Sequence, residues 1–132
     1  MKILIVDDDF KARRIVKDFL SPYGDCDTVV NGEEAIEAFI LGWDQKQPYD
    51  LICMDIMMPD MDGQQALKRI REIEEKIGLN ITNEVKVIMI TALDDFKNVM
   101  QAYSKGYATA YLVKPIDKET LINTLHQMNL MG

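Results

Sequence analysis

Two periodicities alternate along this chain. Ile3 to Val6, Leu51 to Met54, Val85 to Ile90 and Ala110 to Val113 are short runs dominated by apolar residues. Runs of that length without polar alternation suit parallel strands buried on both faces. Cys26 to Val30 is a more polar run that reads as a further short strand, second in chain order. Between the runs, apolar residues recur at three- and four-residue spacing, the mark of a helix with one buried face. Ala12, Ile15, Val16, Phe19 and Leu20 mark the first such helix, Ala35, Ala38 and Phe39 the second, and Ala66, Ile70, Ile73 and Ile77 the third. Phe96, Val99, Met100, Tyr103 and Tyr107 line a fourth, and Leu121, Ile122, Leu125 and Met128 the last.

Local signals punctuate this pattern. Ser21-Pro22-Tyr23-Gly24 ends the first helix, Gln47-Pro48 the second, and Lys114-Pro115 the fifth strand. Asn31 with Glu34 three residues on predicts a capping box, Asp117 predicts the N-cap of the last helix, and Asp9 reads as the N-cap of the first, with a metal role as the alternative. The third strand is read as Asp50 to Asp55, and Pro59 with Asp62-Gly63 stops it abruptly. Asp60 and Asp62 read as loop and turn residues, and 78–83 as a loop before the fourth strand. Five β-α units in series, without repeats or a linker, predict one α/β domain with helices on both faces of a parallel sheet. Strand order 2-1-3-4-5 is the common solution at this size, with a crevice at the carboxyl ends of the strands.

Composition narrows the function. The 132 residues have room for one core, and 48% hydrophobic content is ordinary for a globular chain. No apolar run reaches membrane length and the N-terminal run is too short for a signal peptide, so the chain reads as cytoplasmic and not membrane-inserted. A net charge of −7 argues against direct binding to nucleic acid. Cys26 and Cys53 fall in predicted strands without metal-ligand spacing and read as reduced core thiols. His126, late in the last helix, is read without a chemical role, and the nine methionines as packing.

In a parallel sheet all carboxyl ends share one edge. Asp7 and Asp8, Asp55, Thr91 and Lys114 therefore reach one crevice from four different strands. Three close carboxylates repel, and a hard cation bound through oxygens relieves that cost; Mg²⁺ fits best, because it keeps waters and accepts a phosphate oxygen. With a lysine and a hydroxyl opposite, the set suits phosphoryl transfer, Asp55 attacking in line.

These motifs resemble the receiver domain of bacterial two-component response regulators. Asp7-Asp8, Asp55 with Met58-Pro59 and Asp62-Gly63, Thr91-Ala92 and Lys114-Pro115 carry the resemblance, which covers essentially the whole chain. It implies a flavodoxin-like, doubly wound (βα)5 fold with sheet order 2-1-3-4-5, residues 1–132 forming a single receiver without an output domain. It implies a signalling protein rather than an enzyme, one that catalyses only its own phosphotransfer and slow autodephosphorylation. By the same resemblance Asp55 is the phospho-acceptor for a sensor histidine kinase or phosphotransfer protein. Mg²⁺ is held by Asp8, Asp55 and the Met57 main-chain oxygen, with Asp7 acting through water. Lys114 pairs with Asp55 and then with the phosphoryl group, Thr91 donates its hydroxyl to that group, and Tyr111 is the aromatic that turns inward with the threonine. A cis peptide bond precedes Pro115. The face made by the fourth helix, fifth strand and last helix contacts a downstream protein.

Some features stand apart from the pattern. Met57 and Leu93 offer no side chain to orient an attacking water, which predicts a long-lived phosphorylated state. Lys11, Arg13, Arg14 and Lys17 make one face of the first helix basic, either as a solvated face or as a docking surface for an acidic partner. A haloacid-dehalogenase-type enzyme can be drawn through Asp7, Asp9, Thr91 and Lys114, but it leaves Asp55 idle. A flavin-binding module would place phosphate beside Asp7-Asp8-Asp9, which would repel it. A receiver-shaped binding protein that takes no phosphate is the third alternative.

Overall fold

The computed structural model describes residues 1–80, 83–92 and 108–130. Five strands, β1 (Lys2–Val6), β2 (Asp25–Val29), β3 (Leu51–Asp55), β4 (Lys86–Thr91) and β5 (Ala110–Val113), form one parallel sheet of order 2-1-3-4-5. Four α-helices lie among the described residues: α1 (Phe10–Leu20), α2 (Gly32–Asp44), α3 (Gly63–Ile77) and α4 (Lys118–Gln127). Here α4 is the predicted last helix; the helix expected through Phe96 to Tyr107 lies outside the described residues, as does Leu93.

Alternation along the central strands sorts the core into two layers. Leu4, Val6, Ile52, Met54, Val87 and Met89 face α2 and α3, burying Ala35, Phe39, Ala66, Leu67 and Ile70 with them. Ile3, Ile5, Leu51, Cys53, Ile88 and Ile90 face the opposite way, against Val16, Leu20, Leu121 and Leu125 of α1 and α4. Cys26 and Cys53 are free thiols, and burial pushes Cys53 up to about 12.

Strand limits differ by a residue from the expected ones at the ends of β2 and at the starts of β3 and β4. β2 starts at Asp25, whose N–H donates to the Met1 carbonyl at 2.9 Å, and stops before Val30, whose N–H donates to the Glu34 carboxylate at 3.0 Å. The expected box at Asn31 is thus half made: Asn31 accepts from Glu34 N–H at 2.8 Å, but the return bond goes one residue earlier. β3 begins at Leu51, one residue later than expected; Asp50 still pairs at the edge, its N–H donating to the Lys2 carbonyl at 2.8 Å while its carboxylate accepts from Lys2 N–H at 2.8 Å. β4 begins at Lys86 because Val85 N–H donates 2.7 Å to Glu74 Oε2 instead. Glu74 is buried within α3, and Arg71 Nη1 joins it at 2.6 Å while also donating to the Val85 carbonyl at 2.9 Å. This knot ties the end of α3 to the start of β4 across the loop.

Asp9 and Asp117 cap α1 and α4 as expected, accepting from Lys11 and Thr120 N–H at 3.0 and 3.1 Å. Asp62 does more than turn the chain: with Gln65 it forms a complete capping box at the start of α3. Gly63 follows because a Cβ there would strike the Asp55 carbonyl, the Met89 side chain and Ile56. Its N–H donates 2.8 Å to the Ile56 carbonyl, so α3 starts hard against the end of β3. The Lys114–Pro115 bond is cis.

Candidate functional site

Strand parity brings the chemical groups to one side of the carboxyl edge. Ile3 and Ile5 precede Asp7, Leu51 and Cys53 precede Asp55, and Ala110 and Leu112 precede Lys114, all on the α1–α4 side. Val87 and Met89 precede Thr91, and Tyr111 packs with them, so the threonine and the tyrosine share the other side. The two groups meet where the strands end: Lys114 N–H donates 2.7 Å to the Thr91 carbonyl, linking the loops after β4 and β5.

Lys114 Nζ lies 3.3 Å from Asp55 Oδ2 and 3.3 Å from Asp7 Oδ2. Both carboxylates are buried, at 5% and 3% exposure, and Asp8 is the exposed member of the trio. Burial pushes Asp55 up to about 6, the Asp7 carboxylate adding to the rise and Lys114 opposing it. Burial alone would lower Lys114, but the Asp55 and Asp7 carboxylates outweigh it and hold the ammonium above the ordinary lysine value. Met57 N–H faces Asp55 Oδ1 at 3.3 Å, while its side chain is exposed. Thr91 is fully buried, and its hydroxyl donates 3.2 Å to the Ala92 carbonyl. The Tyr111 ring is half-buried against the α2–α3 core layer.

Among the described residues, Asp7, Asp8 and Asp55 bring ligand oxygens within 4.8 Å of one another. Opposite oxygens around octahedral Mg²⁺ stand about 4.2 Å apart, so the cluster matches that ion with one carboxylate acting through water. Three carboxylates against one ammonium also leave an excess that a divalent cation neutralises. The donor set therefore fits Mg²⁺.

Two features went unread in the sequence. Ile15 was expected on the buried face of α1, yet it is 49% exposed. With Ala12, Val16, Pro115 and Ile116 it lines a cleft of about 350 Å³ that opens beside Asp7 and Lys114. Arg13, read only as part of a basic face, donates through Nη1 to the Asp7 carbonyl at 2.8 Å. Neither follows from helical periodicity, which gives a face but not what lies across from it.

The fold and the site together define a doubly wound α/β protein with an acidic, lysine-bridged crevice suited to a divalent cation and a phosphoryl group. The chain belongs to the response regulator receiver domain family, matching it over residues 3–126. It is a receiver domain of two-component systems, a signalling family. It is similar to Two-component response regulator 24 of Arabidopsis thaliana, 36% identical over 96% of this chain and 82% of that one. Chemotaxis protein CheY of Bacillus subtilis is 32% identical over 96% of this chain and 95% of its own. Other relatives are longer: the chain spans 44% of a probable transcriptional regulator ycf27 of Cyanophora paradoxa. Among solved structures, the receiver domain of the histidine kinase CKI1 from Arabidopsis thaliana, complexed with Mg²⁺ and BeF₃⁻, superposes with a TM-score of 0.75. Its identity is 25%, covering 98% of this chain and 90% of that one. No helix among the described residues is long and apolar enough to cross a membrane.

Proposed function

We propose that Asp55 is the phospho-acceptor of this receiver, and the contact that carries the reading is the Lys114 ammonium 3.3 Å from both Asp55 and Asp7. The phosphoryl group comes from a phosphohistidine of a sensor kinase or phosphotransfer protein. An Asp55 oxygen attacks phosphorus, the O–P bond forms as the N–P bond breaks, and the electron pair leaves on the imidazole nitrogen. Asp8, Asp55 and the Met57 main-chain oxygen would hold Mg²⁺, with Asp7 acting through water. When bound, the ion supplies positive charge for the equatorial phosphoryl oxygens. Lys114 leaves its bridge between carboxylates to pair with the new phosphoryl group. Thr91 turns its hydroxyl from the Ala92 carbonyl to the same group, and Tyr111, on that side of the sheet, follows it inward.

The receiver is thus a two-state element. The phosphoryl group binds one loop arrangement better, through Thr91 and Lys114, and shifts the population toward it. The chain acts in the cytoplasm and passes the signal to a protein through β5, α4 and the 93–107 segment. The donor protein docks over the apolar cleft between α1 and the Lys114–Ile116 loop, which opens directly onto Asp7 and Lys114. Residues 1–132 work as one receiver, turning over only their own phosphoryl group, and the loss of phosphate is slow because Met57 presents no polar side chain there.

Incubation with acetyl phosphate tests the core of this. Uptake of phosphate should require Mg²⁺, stop with a chelator, and vanish in Asp55→Asn. Uptake that persists in Asp55→Asn would remove Asp55 from the role. Rapid release of phosphate once donor is withdrawn would contradict the long-lived state.

A further inference from the structure

Arg13 reaches back from the first turns of α1 to the loop that carries the acidic pair. Its Nη1 donates 2.8 Å to the main-chain oxygen of Asp7 from a half-buried position. Its guanidinium carbon stands 5.6 Å from the centroid of the Phe10 ring. Phe10 is itself 64% exposed, which leaves its ring open to the guanidinium. The Asp7 oxygen belongs to the planar peptide joining Asp7 to Asp8. Holding that oxygen therefore holds the direction in which Asp8 leaves the strand end. The same loop is pinned from inside by Asp9 N–H donating to Asp7 Oδ1 at 2.9 Å and by Asp7 N–H donating to the Val29 carbonyl at 3.2 Å.

We propose that Arg13, held over the Phe10 ring, is a positioning residue for the cation site: it orients the Asp7–Asp8 peptide so that the Asp8 carboxylate converges with those of Asp7 and Asp55. The inference rests on reading that trio as the Mg²⁺ site. Two effects of Arg13 oppose each other, which makes the role separable. As a bare positive charge beside a cation site, Arg13 repels Mg²⁺, so its removal tightens binding. As a positioning group, its removal loosens the loop and weakens binding, as happens when the partner that orients a metal ligand is lost. The structure favours the second effect, because the guanidinium is spent on a carbonyl and an aromatic face, while the peptide it holds leads directly into a ligand.

Calorimetric titration of the whole chain with Mg²⁺ alone, without a phosphodonor, reads the difference. Arg13→Ala should bind Mg²⁺ about tenfold more weakly than the wild type. Phe10→Leu keeps every charge and loses only the platform, so it should weaken binding about two- to fivefold. Arg14→Ala removes a neighbouring exposed cation of α1 while leaving the Arg13–Asp7 bond in place, and should bind Mg²⁺ as tightly as wild type or more so. A thermal melt of each variant confirms folding, and Phe10→Leu carries the test if Arg13→Ala fails to fold. Wild-type or tighter affinity in Arg13→Ala, or in Phe10→Leu where that variant carries the test, overturns the positioning role while leaving the Mg²⁺ site intact. A wild-type chain that binds no Mg²⁺ overturns both.

Discussion

Asp55 carries an electrostatic cost that the proposed role as phospho-acceptor would explain. Its carboxyl is raised from the ordinary value of 3.8 to about 6, first by burial and then by Asp7. A carboxylate raised by folding opposes folding once it ionises. Below about pH 4 it is protonated in both states and costs nothing; as pH rises through 6 the penalty becomes complete. Asp55→Asn should therefore stabilise the Mg²⁺-free chain at pH 7, on the order of 1 kcal/mol because the crevice is open to solvent screening. Urea unfolding at pH 7 and pH 4 checks this; equal effects at the two pH values would contradict it. If Asp55 is the phospho-acceptor, the same ionisation sets its reactivity: without the ion the phosphorylation rate should rise as pH passes about 6, and Mg²⁺ should move that rise to lower pH. The single carboxylate was legible in the sequence, because parallel strands must share an edge. The degree of its burial and its bridge to Lys114 were not, since both depend on side-chain directions at strand ends.

At the scale of elements, hydrophobic period gave four of the five strands and every described α-helix, and two of the boundary errors fell where a side chain captured a backbone group. Glu34 and Glu74 each took an N–H that a cap or a sheet would otherwise have held. Glu74 is the largest of these surprises: it stands four residues after Ile70, on the buried face of α3, where its charge argues against burial. Instead it is 1% exposed, and burial holds its carboxyl above the ordinary range despite Arg71. Glu74→Ala should destabilise the chain by about 3 kcal/mol, through the Val85 N–H left without its acceptor and the broken pair with Arg71. Glu74→Gln keeps an oxygen for Val85 and should cost clearly less. Denaturant midpoints for the two variants decide the point, and equal midpoints would mean that the knot contributes little. The capping boxes teach the same lesson in reverse: Asn31 offered the sequence signature, yet the complete box formed at Asp62 and Gln65.

The whole molecule is acidic, with a net charge of −7, and its cationic groups are unevenly placed. Arg13, Arg14 and Lys17 line a groove of about 360 Å³ along α1, with Phe10 and Thr28. That groove lies on the same helix as the apolar cleft beside Lys114, so a donor seated there would meet basic charge along α1. Exchanging Arg14 and Lys17 for Glu should slow phosphotransfer from a protein donor, with the loss greatest at low salt. Reaction with acetyl phosphate should be unaffected, since it needs no docking. Loss of both would mean that the exchange damaged the site rather than the encounter.

A receiver is defined by the residue that takes the phosphoryl group. Phosphorylation of the intact chain with acetyl phosphate and Mg²⁺, followed by intact mass and peptide mapping, measures that directly. The prediction is a single added phosphoryl group on the peptide containing Asp55. No addition, or addition on the peptide containing Asp7, would contradict it.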